Sequence, residues 1–387
     1  MTHSSRYQGL YCTASGNELS PLSTGPTESG GRREPEYETT QLGWKDGELA
    51  DYVNSMWRYA EALPFCTPVT AGEGRTPLIK TETLAADCGV NDLIIKDESR
   101  NPTGSVFDRG LSAAVTAAKA SGAELVASAG AGNSAQSAAA YASKAGLRSY
   151  EFVPSRAPFS NKAMINVHGG EMKVIDGRYS DAKAAAESEL QTDWYTLQER
   201  DNPFRHDAYK TIAFEIAEAH NWTMPDAVVV PTASGELLAG IAKGFDCLSE
   251  AGQIATQPRL FGVQASGCAP LVGASAESIS TCETPDTIIG ELEIPAPLLG
   301  HAAVTAATES GGSIISVDDD VILEAAVQAA QSVALQVGAA GGAAIAGCEA
   351  LREMGELSAS AQVVVINTES GIQTADILRS HLMGKGI

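Results

Sequence analysis

Short apolar runs alternating with alanine-rich stretches constrain this chain more than any other feature. The runs are Leu93–Ile95, Leu125–Ala127, Tyr150–Val153, Met172–Ile175, Ala227–Val230, Leu260–Gln264 and Val363–Ile366. Each is short enough for a strand buried on both faces, and none alternates as a half-exposed strand would. Between them, Leu111–Ala120 carries apolar residues at 111, 115 and 118, a helical spacing. Ser134–Lys144 is alanine-rich and ends at Gly146, a suitable C-terminal cap. The acids Asp318–Asp320 precede a helix expected over Val321–Val337, where they favour the positive end of its dipole. Strand, loop and helix in repetition predict an α/β fold with mostly parallel sheets covered on both faces. In such sheets ligands sit at the carboxyl ends of the strands. At 387 residues the chain suits two domains, or one large domain with an insertion. Residues 1–40 are polar, show no apolar period, and read as an irregular N-terminal arm.

Charge narrows the partners. With 48 acidic residues against 26 Lys and Arg, the formal net charge is −22. Such a surface repels nucleic acid and anionic membranes. It also fits a salt-rich cytoplasm, where screening relieves self-repulsion. The seven cysteines are scattered and form no Cys-x-x-Cys pair, which reads as reduced thiols in a cytoplasmic protein. There is no uninterrupted apolar run of about 18 residues, so no membrane span is expected. The six histidines form no His-x-x-x-His and no pair with a nearby cysteine, so no metal site is expected of them.

Three loops fall between a strand and a helix. They are 101–110 (Asn-Pro-Thr-Gly-Ser-Val-Phe-Asp-Arg-Gly), 128–134 (Ser-Ala-Gly-Ala-Gly-Asn-Ser) and 231–237 (Pro-Thr-Ala-Ser-Gly-Glu-Leu). Each would aim backbone N–H groups from a helix N-terminus at one place, a natural seat for an anion or phosphate. A fourth segment, Asn367-Thr368-Glu369-Ser370-Gly371, follows the last strand. Any one of these is an ordinary turn. Four in one alternating chain predict a shared site.

Several ordered motifs then resemble the threonine synthase family of fold-type II pyridoxal-phosphate (PLP) enzymes. They are Gly72-Glu73-Gly74-Arg75-Thr76-Pro77-Leu78, Lys96-Asp97-Glu98 followed by Asn101-Pro102-Thr103-Gly104-Ser105, and Ser155-Arg156-Ala157-Pro158 leading to His168-Gly169-Gly170. Gly240-Ile241-Ala242-Lys243-Gly244-Phe245 and Thr368-x-Ser370-Gly371 complete the match, which spans about residues 55–387. The resemblance implies two domains around a cleft: a smaller one over 111–205 and a larger one combining 41–110 with 206–387. It implies pyridoxal phosphate as cofactor and a small amino-acid or phosphate ligand, and it allows a homo- or hetero-dimer. By the same resemblance Asn133 faces the 3′-oxygen of the cofactor and Thr368 its ring nitrogen. Ser105 belongs to the lysine loop, and Ala233, Ser234, Gly235, Glu236 and Leu237 form the phosphate loop.

The match departs from the family where chemistry is done. Family members read Ser-Phe-Lys-Asp-Arg-Gly, and the lysine forms a Schiff base with PLP and moves protons. This chain reads Ser105-Val106-Phe107-Asp108-Arg109-Gly110, with Phe107 at the lysine position, so no catalytic residue is assigned. The nearest lysines are Lys96, on a strand, and Lys119, on an expected solvated helix face. Ser134-Ala135 stands for Ala-Gly, Ala233 for the first glycine of the phosphate loop, and Glu369 for the glycine after Thr368. In the arm, Cys12 and Ser29-Gly30-Gly31 lie where some relatives carry two Cys-x-x-Cys pairs. One thiol cannot hold a structural zinc, so the arm reads as a degenerate knuckle or a plain tail. Lys162 faces either a substrate phosphate or solvent, and His168 reads as a packing residue. Three functions follow: a paralogue with lost or much reduced catalysis, a working lyase making threonine from O-phosphohomoserine, or a regulatory subunit of an active relative.

Overall fold

The computed structural model describes residues 6–40, 42–47, 49, 53–191, 193–199 and 201–384. The N-terminal arm is not irregular. Strands β1 (Tyr7–Cys12), β2 (Glu18–Leu19) and β3 (Arg33–Tyr37) form an antiparallel sheet in the order β2-β1-β3. Residues 1–5 of the expected arm lie outside the described residues. Leu10 of β1 joins an apolar core, but the strands are short and much of their docking is polar, which leaves little local pattern. The Tyr37 hydroxyl donates to Asp207 (2.7 Å), and Glu34 pairs with Lys243 (3.0 Å) and His206 (3.1 Å).

The chain continues through β4 (Leu78–Lys80), α1 (Glu82–Asp87), β5 (Asp92–Asp97), α2 (Phe107–Ser121), β6 (Leu125–Ala129) and α3 (Asn133–Ala145). Next come β7 (Arg148–Pro154), α4 (Phe159–Val167), β8 (Glu171–Ile175), α5 (Tyr179–Glu189) and β9 (Tyr195–Thr196). The remainder runs α6 (Pro203–Asp207), α7 (Lys210–Ala219), β10 (Ala227–Pro231), α8 (Glu236–Glu250), β11 (Arg259–Ala265), α9 (Gly300–Glu309), β12 (Ile314–Val317), α10 (Asp319–Val333), α11 (Ala339–Glu353), β13 (Gln362–Asn367) and α12 (Ala375–Gly384).

Two further sheets result. One has six strands in the order β12-β11-β10-β13-β5-β4, parallel except for the edge pair β4–β5. The other has four parallel strands, β8-β7-β6-β9. All seven expected strands lie inside observed ones. The helix expected over Val321–Val337 is instead Asp319–Val333, with Asp318 as N-cap. Ala334 ends it in a left-handed conformation (φ 56°). Met56, Trp57, Leu63 and Phe65 share a core with α2 and α3, Leu197 and Phe204. Phe107 packs against this core and also against the one between the six-stranded sheet and α7–α8, so it sits where the two meet.

Candidate functional site

The loops expected to converge do so. Ser105, Phe107, Ala233, Ser234, Gly235, Glu236, Leu237 and Thr368 line one pocket of about 80 Å³, with Tyr209, Glu291, Leu292, Ala340 and Glu369. Asn133 reaches it through Glu369, whose carboxyl accepts from the Asn133 side-chain N–H.

A buried charge network holds the 101–110 loop. Arg109 donates through Nε to Glu98 (2.7 Å) and through Nη1 to Glu215 (2.7 Å), with further bonds to Thr76 and Thr211. Lys96 donates to Glu215 (2.5 Å) and to the Thr76 carbonyl (2.6 Å). Burial works to raise the Glu215 carboxyl, but Arg109 and then Lys96 overcome it and hold it at about 2. Lys96 is thus committed to this network. Lys119 is exposed near the far end of α2. Asp108 ties the loop to α3, accepting from the Thr103 N–H and hydroxyl and from the Ser137 hydroxyl (all 2.6 Å); burial pushes it up to about 6.

The second loop turns at Gly132 (φ 145°) into α3. Asn133 is buried, and its side-chain oxygen accepts from Asn161 (2.6 Å). The third loop turns at Gly235 (φ 89°), where a Cβ would also meet the Leu299 carbonyl oxygen at 2.7 Å. Only glycine serves there. Glu236 then opens α8 and pairs with Arg205 Nε (3.0 Å); both side chains are buried. The Arg205 guanidinium lies 5.4 Å from the centre of the Phe107 ring. Burial, then the charge of Glu236, pushes neighbouring Glu199 up to about 7.

The fourth segment is pinned to the first: the Val106 N–H donates to Thr368 O and the Ser370 N–H to Gly104 O (both 2.9 Å). Glu369 is buried, and the Ala340 N–H donates to it (3.2 Å). Burial first, and the charge of Glu291 second, hold its carboxyl well above the usual range. Both carboxylate oxygens of Glu291 are shut from solvent without a hydrogen-bond partner.

Sequence reasoning missed Glu98 and Glu215 as partners of Arg109, and Glu199, Arg205, Tyr209 and Glu291 in or beside the pocket. The first was quoted in a motif, and the others carry no local signal. Lys162 donates to the Ser155 carbonyl (2.8 Å) and lines a neighbouring cleft of about 350 Å³ with Arg156, Arg178, Glu291, Glu293 and Asp376. His168 is the C-cap residue of α4, and Asp318 occupies the N-cap position of α10, its carboxylate accepting from the Ser266 hydroxyl. Asp319 accepts from the Thr287 hydroxyl and the Ile288 N–H (both 2.8 Å), which anchors the segment that carries Glu291. In the arm the Cys12 thiol sits 2.9 Å from the Ser29 hydroxyl and 3.6 Å from that of Thr27. Among the described residues, no cluster of three or more His, Cys, Asp or Glu could hold a metal ion, and no helix is long and apolar enough to cross a membrane.

Does this pocket fit pyridoxal phosphate? The Thr368 hydroxyl, buried without a partner, suits a ring nitrogen. The rest does not. The free space of about 80 Å³ falls far below the roughly 300–1,000 Å³ of small-molecule sites. Asn133 is spent on Glu369, and Phe107 supplies no amine. As arranged, these residues do not fit the cofactor.

Comparison with known proteins settles the ancestry. The family described as "Pyridoxal-phosphate dependent enzyme" matches residues 69–369. The threonine synthase of Methanosarcina acetivorans is 35% identical over 319 residues, covering 81% of this chain and 79% of the relative. That of Methanocaldococcus jannaschii is 33% identical over 358 residues, covering 90% and 88%. Among solved structures, a fungal L-serine ammonia-lyase from Rhizomucor miehei superposes with a TM-score of 0.67 at 22% identity, covering 79% of this chain and 98% of its own. Diaminopropionate ammonia lyase from Escherichia coli gives 0.69 at 18% identity, covering 81% and 88%. The fold is thus the fold-type II architecture, and the chain belongs to the threonine synthase family of pyridoxal-phosphate-dependent enzymes.

Proposed function

We propose that this chain is a threonine synthase paralogue that keeps a small-molecule cleft but has lost imine chemistry. One observation carries the reading: the residue heading α2 in the pocket is Phe107, and among the described residues no lysine lines that pocket. A phenyl ring can neither form an imine nor accept a proton. Losing a positioned base alone costs typically about 10²–10⁴-fold in rate.

The neighbouring cleft supports a ligand of amino-acid type. Its cations are Arg156, Lys162 and Arg178, and its carboxylates are Glu291, Glu293 and Asp376. Glu293 pairs with Arg178 and with Arg156 (3.6 Å). Mixed signs at close quarters suit a zwitterion better than a plain anion.

The test uses the purified chain incubated with pyridoxal phosphate. The expected protein is colourless after dialysis, gains no mass on borohydride reduction, and forms no threonine from O-phosphohomoserine. A peptide map showing the cofactor tethered to any lysine, or turnover at rates normal for an active threonine synthase, would overturn the reading.

A further inference from the structure

We propose that Glu369 and Glu236 hold the cofactor seat from within, so that two carboxyl side chains exclude pyridoxal phosphate independently of the missing lysine. The proposal deepens the functional reading above and rests on it for the place of Phe107.

Glu369 fills the space over Asn133. Its backbone cannot retreat, because the strand pairing Ser105↔Glu369 and the bonds on either side of it pin 104–106 against 368–370. Its side chain lies on the bare backbone of Gly338, where any Cβ would collide with it. From there its two oxygens accept from Asn133 and from the Ala340 N–H. The amide expected to face the cofactor is therefore already satisfied by the protein itself. A buried amide that has a partner gains little by exchanging it for a ligand.

Glu236 does the same at the phosphate loop. A helix N-terminus such as that of α8 ordinarily welcomes an anion. Here the first helical residue brings its own carboxylate, and Arg205 is already paired with it. The same guanidinium rests over the Phe107 ring, so the cation that could attract a phosphate is held on two sides. A phosphate brought to this helix end would have to part Arg205 from Glu236, both of them buried. Such a device rejects a ligand by partners already taken and by bulk, not merely by a lost attraction.

The experiment measures equilibrium binding of pyridoxal phosphate by fluorescence titration in full-length variants. Phe107→Lys alone is expected to gain less than tenfold in affinity and to lose its colour on dialysis. Glu369→Gly, with Phe107 retained, is expected to gain at least tenfold, and adding Glu236→Gln to gain more. Should the glycine variant fail to fold by near-UV circular dichroism, Glu369→Ala carries the same expectation. Stoichiometric, dialysis-stable uptake by Phe107→Lys alone would sink the proposal, and so would unchanged affinity in the folded Glu369 variant. Cofactor tethered covalently in the unaltered protein sinks the functional reading instead, so the two failures are distinguishable.

Discussion

At the scale of single residues, buried charge decides most of what can be tested. Arg109 is fully buried with its guanidinium shared between Glu98 and Glu215. Replacing it with methionine leaves both carboxylates without it in a dry site, with Lys96 as the remaining cation beside Glu215. The Arg109→Met variant should lose about 3–5 kcal/mol, read as a lower urea midpoint at an unchanged slope. Glu151 gives the opposite lesson. It is fully buried, its one oxygen accepts from the Ser128 hydroxyl (2.6 Å), and the other has no partner. Burial pushes its carboxyl up to about 8. The folded state therefore binds the proton more tightly than the unfolded chain. Stability contributed by this group is complete below the unfolded value of about 4.3 and falls as pH rises toward 8. Glu151→Gln should stabilise the protein by a kcal/mol or more at pH 8 and little at pH 5. A pH-independent difference between the two proteins would refute the assignment.

At the scale of elements, close backbone approach matters more than propensity. Helix α8 approaches α6 and Tyr209 through Gly240, and α7 through Gly244. A Cβ on Gly240 would meet the His206 carbonyl oxygen at 2.6 Å and Tyr209 Cβ at 2.7 Å, and one on Gly244 would collide with the Lys210 carbonyl. Alanine favours an isolated helix over glycine by about 1 kcal/mol. Overpacking costs about 1–3 kcal/mol, so Gly244→Ala should lower stability, checked by thermal unfolding. The same reasoning tells what a sequence reader can see. The runs that became β5, β10 and β13 are continuous and apolar because parallel strands are buried on both faces, and that pattern is local. β3, Arg-Glu-Pro-Glu-Tyr, carries no such pattern, because its polar partners Lys243, His206 and Asp207 are met only after folding. α10 stops at Ala334 without glycine or proline, so its end was not written locally. In the site, Asn133, Thr368 and the change to Glu369 were legible because they sit in short motifs. Glu215 and Arg205 were not, since each finds its partner dozens of residues away.

At the scale of the whole molecule, the net charge of −22 makes ionic strength part of the structure's energetics. Two opposing effects act when salt is added. Surface ion pairs such as Arg148–Glu171 and Lys173–Glu189 weaken, but exposed pairs contribute only about 0–1 kcal/mol each. The buried pairs of Arg109 and Lys96 are screened far less. Against this stands the mutual repulsion of a large acidic excess spread over 14826 Å² of surface, and it opposes compaction. The screening length falls from about 10 Å at 0.1 M to about 3 Å at 1 M. Relief of repulsion should therefore win. We expect the thermal midpoint to rise by several degrees between 0.1 M and 2 M KCl, and to rise less in sucrose, which is excluded from protein surfaces without screening charge. A midpoint that is flat or falling in KCl would show that the acidic surface is not an adaptation to salt. A rise matched by sucrose would place the cause in solvent exclusion instead of charge.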